Sequence, residues 1–489
     1  MEAVEEKLLV NTGVAFSTNE VLEKRVIQFG TGVLLRGLVD YVIQNANNAN
    51  TFKGSIVQIK STAKGDTQEF INQNNQYHVA VRGLENGNLK QYYLLNHSIV
   101  DTLNAATQWQ QILQLATLDS LDIIVSNTTE VGIVLDEKDK ITDAPPASFP
   151  AKLLALLYAR FEAFNGNINY GYTIIPTELV TNNATILKEV VLKLAALNNC
   201  SNTFIEWIQS ANTFCNSLVD RIVAGKPTPE KLQQHWKQLK VEDNLLIECE
   251  PYLLWAIQGD NLVKQKLSFA LPNSNVIIEP SIDKYKELKL RLLNGTHSFL
   301  CAMAYLNNYK LVKDAFANTS FKNFATQLMY KELAPTLPYP TSEIYEYCND
   351  VIDRFSNPFI DHLWYNISLN YTQKMVARNI ETIQRYYQMH NKVPVLMAKC
   401  FAWYLRFIIP ISVSSKNQFE GKLKVETYII NDPSAAAIFA LCENIAQGDI
   451  VLKLMTNTEL WGGFDFYTLP NFIQAVQEEF IKINDEIKQ

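Results

Sequence analysis

Cysteine is scarce in this chain: seven in 489 residues, at positions 200, 215, 249, 301, 348, 400 and 442. They stand singly and are odd in number, which excludes a disulfide framework or a Cys-x-x-Cys metal pair and points to a reducing, cytoplasmic setting. The six histidines are equally dispersed, without the close spacing of a zinc ligand set, so no metal is expected. No basic block follows the pattern of a phosphate-backbone reader, and the net charge is −7, which argues against a nucleic-acid partner. No apolar run is long enough to span a bilayer, and the acidic start, Met1-Glu-Ala-Val-Glu-Glu, lacks the hydrophobic core of an export signal. Repeats and low-complexity segments are missing too. What is present is a 47% hydrophobic chain long enough for two or three domains with large cores.

The first positive signal is Arg25-Val-Ile-Gln28-Phe29-Gly30-Thr31-Gly32-Val33-Leu34-Leu-Arg36-Gly37. A β-type run enters a Gly-x-Gly turn and continues into an apolar-periodic helix through Leu34, Leu35, Leu38, Val39 and Val42. That is the strand–turn–helix context of a dinucleotide fingerprint. Gly30 would make the tight turn, and Gly32 would let the backbone approach a pyrophosphate at the helix N-terminus. The third glycine of the usual pattern is replaced by Leu35. Asn127, just after the apolar strand Leu121–Val125, falls where such folds place cofactor-facing loops.

The second signal is Lys289-Leu-Arg-Leu-Leu-Asn294-Gly-Thr-His297. At about 100° per residue on an α-helix, His297 stands at about 80° and Asn294 at about 140° from Lys289, within one sector of the surface. An ammonium that can release a proton, an imidazole beside it and an amide able to polarise an oxygen suit alcohol–ketone interconversion. The same spacing also describes an amphipathic helix with an ordinary wet stripe.

Between Val26 and about Val180, short β-branched runs alternate with helical patterns, which predicts a mostly parallel sheet with helices on its faces. His78–Arg82 and Leu89–Leu94 read as a hairpin inserted into this domain, framing a loop from Gly83 to Asn88. After Asn294 strand signals become sparse and helical periods dominate. The expected fold is therefore α/β: a Rossmann-like dinucleotide-binding domain over residues 1–280 and a mostly α-helical substrate domain over 281–489, with the active site between them. Trp403, Tyr404 and Phe407 have the spacing of a helix core, and Asp220-Arg221 reads as an internal ion pair or hinge.

Phe29–Arg36, Asn216-Ser-Leu-Val-Asp220-Arg221-Ile222, Lys289-x4-Asn294-x2-His297 and Arg354-Phe-Ser-Asn357-Pro358 with Lys374 downstream occur in order along most of the chain. Together they resemble the polyol-specific long-chain dehydrogenases, the mannitol dehydrogenase family, which includes the hexuronate reductases. Val81–Leu84, Ser126–Gly132, Asp143–Lys152 and Ile174–Leu179 place the likeness in the hexuronate-reductase branch. Where a polyol enzyme carries Cys-Asp-Asn, this chain has Thr177-Glu178-Leu179. Asn366 stands where a polyol enzyme carries arginine, and Lys286 where one can carry glutamate.

The resemblance implies Lys289 as general acid and base, Asn294 as carbonyl polariser and His297 as a ligand of a substrate hydroxyl. Burial and the nearby cation Lys286 would help Lys289 release its proton. Lys374 and Arg378 are the candidates for holding substrate in the helical domain. The implied substrate is a small keto-hexuronate or its aldonate, and the implied cofactor is NAD. The second strand ends Gln58-Ile-Lys60-Ser-Thr62 without the acid that usually marks NAD, and Lys60 and Lys64 could attract a 2′-phosphate. A fructuronate reductase, a mannitol or arabinitol dehydrogenase, and a non-enzymatic NAD-binding sensor remain as alternatives. The sequence leaves oligomeric state open.

Overall fold

A computed structural model describes residues 9–10, 22–62, 67–128, 132–272, 274–414, 416, 418–423, 426–443, 445 and 448–488. The acidic start, Lys64, Thr129 and Glu130 lie outside the described residues. The chain forms two compact units: Met1–Gly83 with Leu89–Asp283, and Leu84–Asn88 with Lys284–Gln489.

The first unit is built on six strands: β1 (Glu23–Phe29), β2 (Gly54–Lys60), β3 (Ile99–Asn104), β4 (Ile123–Ser126), β5 (Thr173–Pro176) and β6 (Thr213–Phe214). Their order is β3-β2-β1-β4-β5-β6, and every neighbouring pair is parallel. The order reverses between β1 and β4, the switch point where doubly wound sheets open a crevice beyond the strand C-termini. Phe29 lies opposite Ile59 on one side and Ser126 on the other, so the segments leaving β1 and β4 emerge side by side.

These strands read as near-continuous apolar runs because both faces are covered. Ile27, Phe29, Val57, Ile59 and Ile124 pack with Leu153, Leu156, Leu187 and Val191. Val26, Ile56, Ile123 and Val125 pack with Leu35, Val39, Val42 and Ile43 on the opposite face, following the two-residue period of a strand. The helix expected after the glycine turn is broken at Leu38 (φ −127°, ψ −72°) into Val33–Gly37 and Val39–Asn48. The break falls where Gly37 packs on Val223; a Cβ there would lie 2.8 Å from Val223 Cγ2.

The hairpin is longer than its sequence suggests. Strands Tyr77–Glu85 and Asn88–Asn96 run up to a two-residue turn, where Asn86 and Gly87 take φ of 51° and 73°, the left-handed pair a tight hairpin needs. It joins a five-stranded sheet with Leu9–Val10, Ile247–Cys249 and Val223–Gly225. The Asp143–Lys152 segment is structural as well. Asp139 accepts from the Ala147 and Ser148 N–H groups at 2.9 and 3.1 Å, and Ser148 caps helix Phe149–Ala163 by accepting from the Ala151 N–H at 3.2 Å. Arg221 is buried on the carbonyls of Gly37 (2.6 Å) and Glu250 (2.9 Å), so it docks on backbone.

The second unit is mainly helical. Helix Val395–Ile408 packs against Thr296–Leu306 and Phe472–Lys488, with Trp403, Tyr404 and Phe407 buried. Helix Thr341–Phe355 buries Ile344, Tyr347, Cys348, Val351 and Phe355, one stripe at helical spacing. A small antiparallel sheet of Ser412–Val413, Phe419–Leu423 and Glu426–Ile429 interrupts the helices. Its strands are too short and polar to register as a period in the sequence. Among the described residues no helix is long and apolar enough to cross a membrane.

Candidate active site

The glycine turn is held by backbone bonds. The Gly30 N–H donates to the Ile59 carbonyl at 2.9 Å and the Asn127 N–H to that of Phe29 at 3.1 Å. Gly30 has φ of +130°, and a Cβ there would lie 2.9 Å from both the Asn127 oxygen and Leu35 Cδ1, so only glycine fits. Gly32 is different. Its φ of −69° and ψ of 159° suit any residue, yet a Cβ there would meet nothing within 4 Å. The space lies at the start of a helix, where the first N–H groups have no intrahelical acceptor. A dinucleotide pyrophosphate needs such a cradle, and these residues fit one.

Thr31, Val33 and Leu34 are partly exposed around the turn. Gln28, Phe29 and Arg36 are buried. Gln28 Nε2 donates to the Gly30 carbonyl at 3.3 Å, Phe29 packs on Phe149, and Arg36 Nη1 donates to the Leu245 carbonyl at 2.6 Å. Arg36 also lies over the Tyr77 ring. The three side chains thus support the turn from beneath, and their backbone atoms are what they offer to a cofactor.

Asn127 directs Nδ2 to the Thr177 carbonyl and hydroxyl at 3.1 and 3.0 Å. Glu178, 3% exposed, fixes the adjoining loop: it accepts from the Thr128 N–H and hydroxyl at 2.8 and 3.0 Å and from the Ser126 hydroxyl at 3.1 Å. In the sequence Glu178 stands out only as part of a motif. Lys60 is buried and donates to the Thr62 carbonyl and, at 3.1 Å, to its hydroxyl.

The run from Lys289 to His297 is not a uniform α-helix. Asp283–Leu288 is α-helical, Lys289–Gly295 is a π-helix, and Thr296–Leu306 returns to α. A π turn is wider, with i→i+5 bonds, so the angles expected from the α period do not apply. Val376–Ile380, which carries Arg378, is also a π segment. The two widened turns are braced together. Arg291, 3% exposed, donates to the Arg378 carbonyl at 2.9 Å and pairs with Glu381, itself held by Arg385 at 2.7 Å. A Cβ on Gly295 would lie 3.2 Å from Asn379 Oδ1.

Lys289 and Asn294 are half-buried, and Asn294 uses its backbone carbonyl to accept from the Ser298 hydroxyl and from Arg378. His297 is 9% exposed, and its Nε2 is buried without a hydrogen-bond partner among the described residues. Its ring stacks on Phe355 (centroids 4.1 Å apart) and meets His362 (5.2 Å) and Trp364 (6.0 Å) edge-on. Burial first, then His362, Arg354, Arg378 and Lys374, hold the His297 imidazole well below its usual range, so it is uncharged at neutral pH.

Lys374 donates to the Ile367 carbonyl at 2.8 Å, and burial followed by Arg378 pushes its ammonium down from the usual lysine range. Arg378 Nη1 reaches the Asn294 carbonyl at 3.4 Å and the Ser298 hydroxyl at 3.1 Å. The structure thus gathers His297, Lys374 and Arg378 with the Asn294 backbone. It adds His362 and Arg354, the first of which carries no spacing signal in the sequence.

A mannitol dehydrogenase Rossmann-domain model matches residues 24–270, and a mannitol dehydrogenase C-terminal-domain model matches residues 281–484. The chain belongs to the mannitol dehydrogenase family. Altronate oxidoreductase of Bacillus subtilis (strain 168) is 34% identical over 384 residues, covering 78% of this chain and 79% of that protein. Altronate oxidoreductase of Halalkalibacterium halodurans is 31% identical over 470 residues, covering 94% and 91%. Pseudomonas fluorescens mannitol 2-dehydrogenase, solved as a ternary complex with NAD and D-mannitol, shares the fold with a TM-score of 0.64 at 20% identity, over 95% of this chain and 93% of that one. D-sorbitol dehydrogenase in substrate-free form gives 0.71 at 19% identity, over 96% and 94%. This member of the mannitol dehydrogenase family is accordingly an oxidoreductase acting on CH–OH groups. The family resemblance and the Rossmann-plus-helical fold expected from its motifs both hold.

Proposed function

We propose that this protein interconverts D-tagaturonate and D-altronate with NAD as hydride carrier and without a resident metal, the first unit holding the cofactor and the second the sugar acid. The observation that carries this reading is the buried, unpartnered His297 Nε2 set among the cations Lys374, Arg378 and Arg354. A buried polar atom without a partner is costly, and a sugar hydroxyl would supply one. The cations suit a substrate with a carboxylate, which would be expensive to bury unpaired.

NAD, when bound, exchanges hydride with the sugar carbon. In reduction, Lys289 delivers a proton to the nascent alkoxide and, in oxidation, takes it back. The Asn294 carboxamide polarises the same oxygen, so ammonium and amide meet the charge that zinc would otherwise stabilise. Neutral His297 orients a neighbouring hydroxyl. Lys60, committed to Thr62, offers little to a 2′-phosphate, which favours NAD over NADP. Relatives named altronate oxidoreductase support the choice of substrate. The seven free cysteines support a cytoplasmic setting.

The positive surroundings of His297 suit a carboxylate better than a neutral ketose, so fructose is the weaker candidate. Initial rates of NADH and NADPH oxidation with tagaturonate, fructuronate and fructose test the reading. Tagaturonate should exceed the others in kcat/KM by at least about tenfold. Fructose turning over as well as tagaturonate would overturn it, and NADH binding without turnover of any of them would favour a sensor.

A further inference from the structure

His362 lies outside the residues given a role so far, in the segment between helices Thr341–Phe355 and Trp364–Ile367. Its backbone is pinned on both sides. The Val312 N–H donates to the His362 carbonyl at 2.9 Å, the Trp364 N–H to that of Lys310 at 3.1 Å, and Leu311 and Leu363 form an antiparallel bridge. Upstream, Asn357 Oδ1 accepts from the Phe359 N–H at 3.0 Å, and Lys313 holds the Pro358 carbonyl at 2.8 Å and Asp361 at 2.6 Å. The imidazole is therefore presented from a fixed backbone.

Three rings wall His297: Phe355, Trp364 and His362. Phe355 offers carbon only, Trp364 has its Nε1 buried without a hydrogen-bond partner among the described residues, and His362, with no ring-nitrogen hydrogen bond among the described residues, meets His297 edge-on at 5.2 Å. Both imidazoles are pushed below their usual range by burial, with Lys374 acting on each in the same direction. Asp432, the acid that acts on Lys374, is engaged by backbone: it accepts from the Thr372 and Ser434 N–H groups at 2.6 and 2.8 Å. A packing ring would need no nitrogen here; a donor beside Lys374 is what an anionic ligand group would meet.

We propose that His362 is a specificity-determining residue that donates a hydrogen bond to the carboxylate of the sugar acid, with Lys374 as the accompanying cation. This rests on the ketohexuronate reading above. His362 then selects the acid end of the substrate, while His297 holds a hydroxyl nearer the reacting carbon.

The test compares His362→Phe, which keeps a planar ring, with His362→Asn and His362→Gln, which keep an N–H donor. KM and kcat are measured for tagaturonate and for fructose at saturating NADH. For tagaturonate, His362→Phe should raise KM by about 10- to 150-fold, as loss of a charge-assisted hydrogen bond does. The ratio of kcat/KM for tagaturonate to that for fructose should fall, and at least one amide variant should recover much of the loss. A loss confined to kcat, or an equal loss with both substrates, would make His362 a structural support of His297 and overturn the proposal. So would an unchanged KM in His362→Phe. Wild-type enzyme inactive on every ketohexuronate would overturn the parent reading and this proposal together, whereas wild-type activity with an unchanged His362→Phe profile removes only the role of His362.

Discussion

Gly30 and Gly32 stand two residues apart, yet the structure gives them opposite duties, and a pair of substitutions separates those duties. At Gly32 the backbone is already extended, at φ −69° and ψ 159°, and a Cβ meets nothing within 4 Å. Gly32→Val should therefore cost the fold no more than about 1 kcal/mol, the difference between glycine and a β-branched residue at a helix N-cap. In a domain of this size that is a shift of only about 2–4 °C in Tm. The valine methyl groups would fill the space through which a pyrophosphate reaches the first N–H groups of the helix. Losing one or more such charge-assisted hydrogen bonds, at roughly 1.5–3 kcal/mol each, should raise the Kd for NADH by about 10- to 150-fold. Gly30→Ala should do the reverse. Its φ of +130° and the 2.9 Å approaches to Asn127 and Leu35 impose about 1–3 kcal/mol of strain before any ligand binds, so thermal stability should fall first. NADH fluorescence titration and thermal unfolding of both variants read the two effects. A folded Gly32→Val protein that binds NADH like wild type would refute the pyrophosphate assignment. A collapse in Tm matching that of Gly30→Ala would show that the open space is structural.

Lys289→Ala should lower kcat by about 10² to 10⁴ with near-normal NADH binding; retention of more than about a third of the wild-type rate would move proton transfer to another group. Lys374→Met should reduce kcat/KM for the ketohexuronate by about 10- to 150-fold and much less for a neutral ketose, and equal losses would assign Lys374 to the fold. Asp40 is fully buried, accepts from the Tyr77 hydroxyl at 3.0 Å, and has its carboxyl pushed up to about 7 by burial. The folded protein then keeps a proton that the unfolded chain releases near pH 4. Stability from this group is fully present below that pH and is lost as pH rises through about 7. Asp40→Asn should flatten that limb and raise Tm at pH 8, and parallel Tm–pH curves for the two proteins would remove Asp40 as its source.

The cofactor half was legible because its signals are local. Continuous apolar strands imply a sheet covered on both faces, and a glycine pair at a strand–helix junction restricts what can approach it. What local pattern cannot show is which way a side chain leaves the backbone. Gln28 and Arg36 are adjacent to the turn in sequence, but their side chains run into the core, to the Gly30 and Leu245 carbonyls. The hairpin shows a similar limit, since the run Leu89–Leu94 announces a strand without naming the sheet it will join.

The helical half was legible in residue type and illegible in geometry, and the π segments explain the difference. Apolar spacing from Lys289 to Leu300 is compatible with an α-helix throughout, and nothing local reports the extra residue in the turn. The widening is fixed by tertiary partners: Arg291 on the Arg378 carbonyl, the Arg291–Glu381–Arg385 chain and the close fit of Gly295 against Asn379. Two π turns packed through a buried guanidinium have little freedom to relax separately, because parting them would leave Arg291 buried without its partners. Asn294 and Arg378 sit on opposite members of that pair and are joined by a hydrogen bond of 3.4 Å. The spacing of the proposed carbonyl polariser and the candidate carboxylate-side cations is thus set by packing between helices, which is why candidate residues could be picked out along the chain but their arrangement could not.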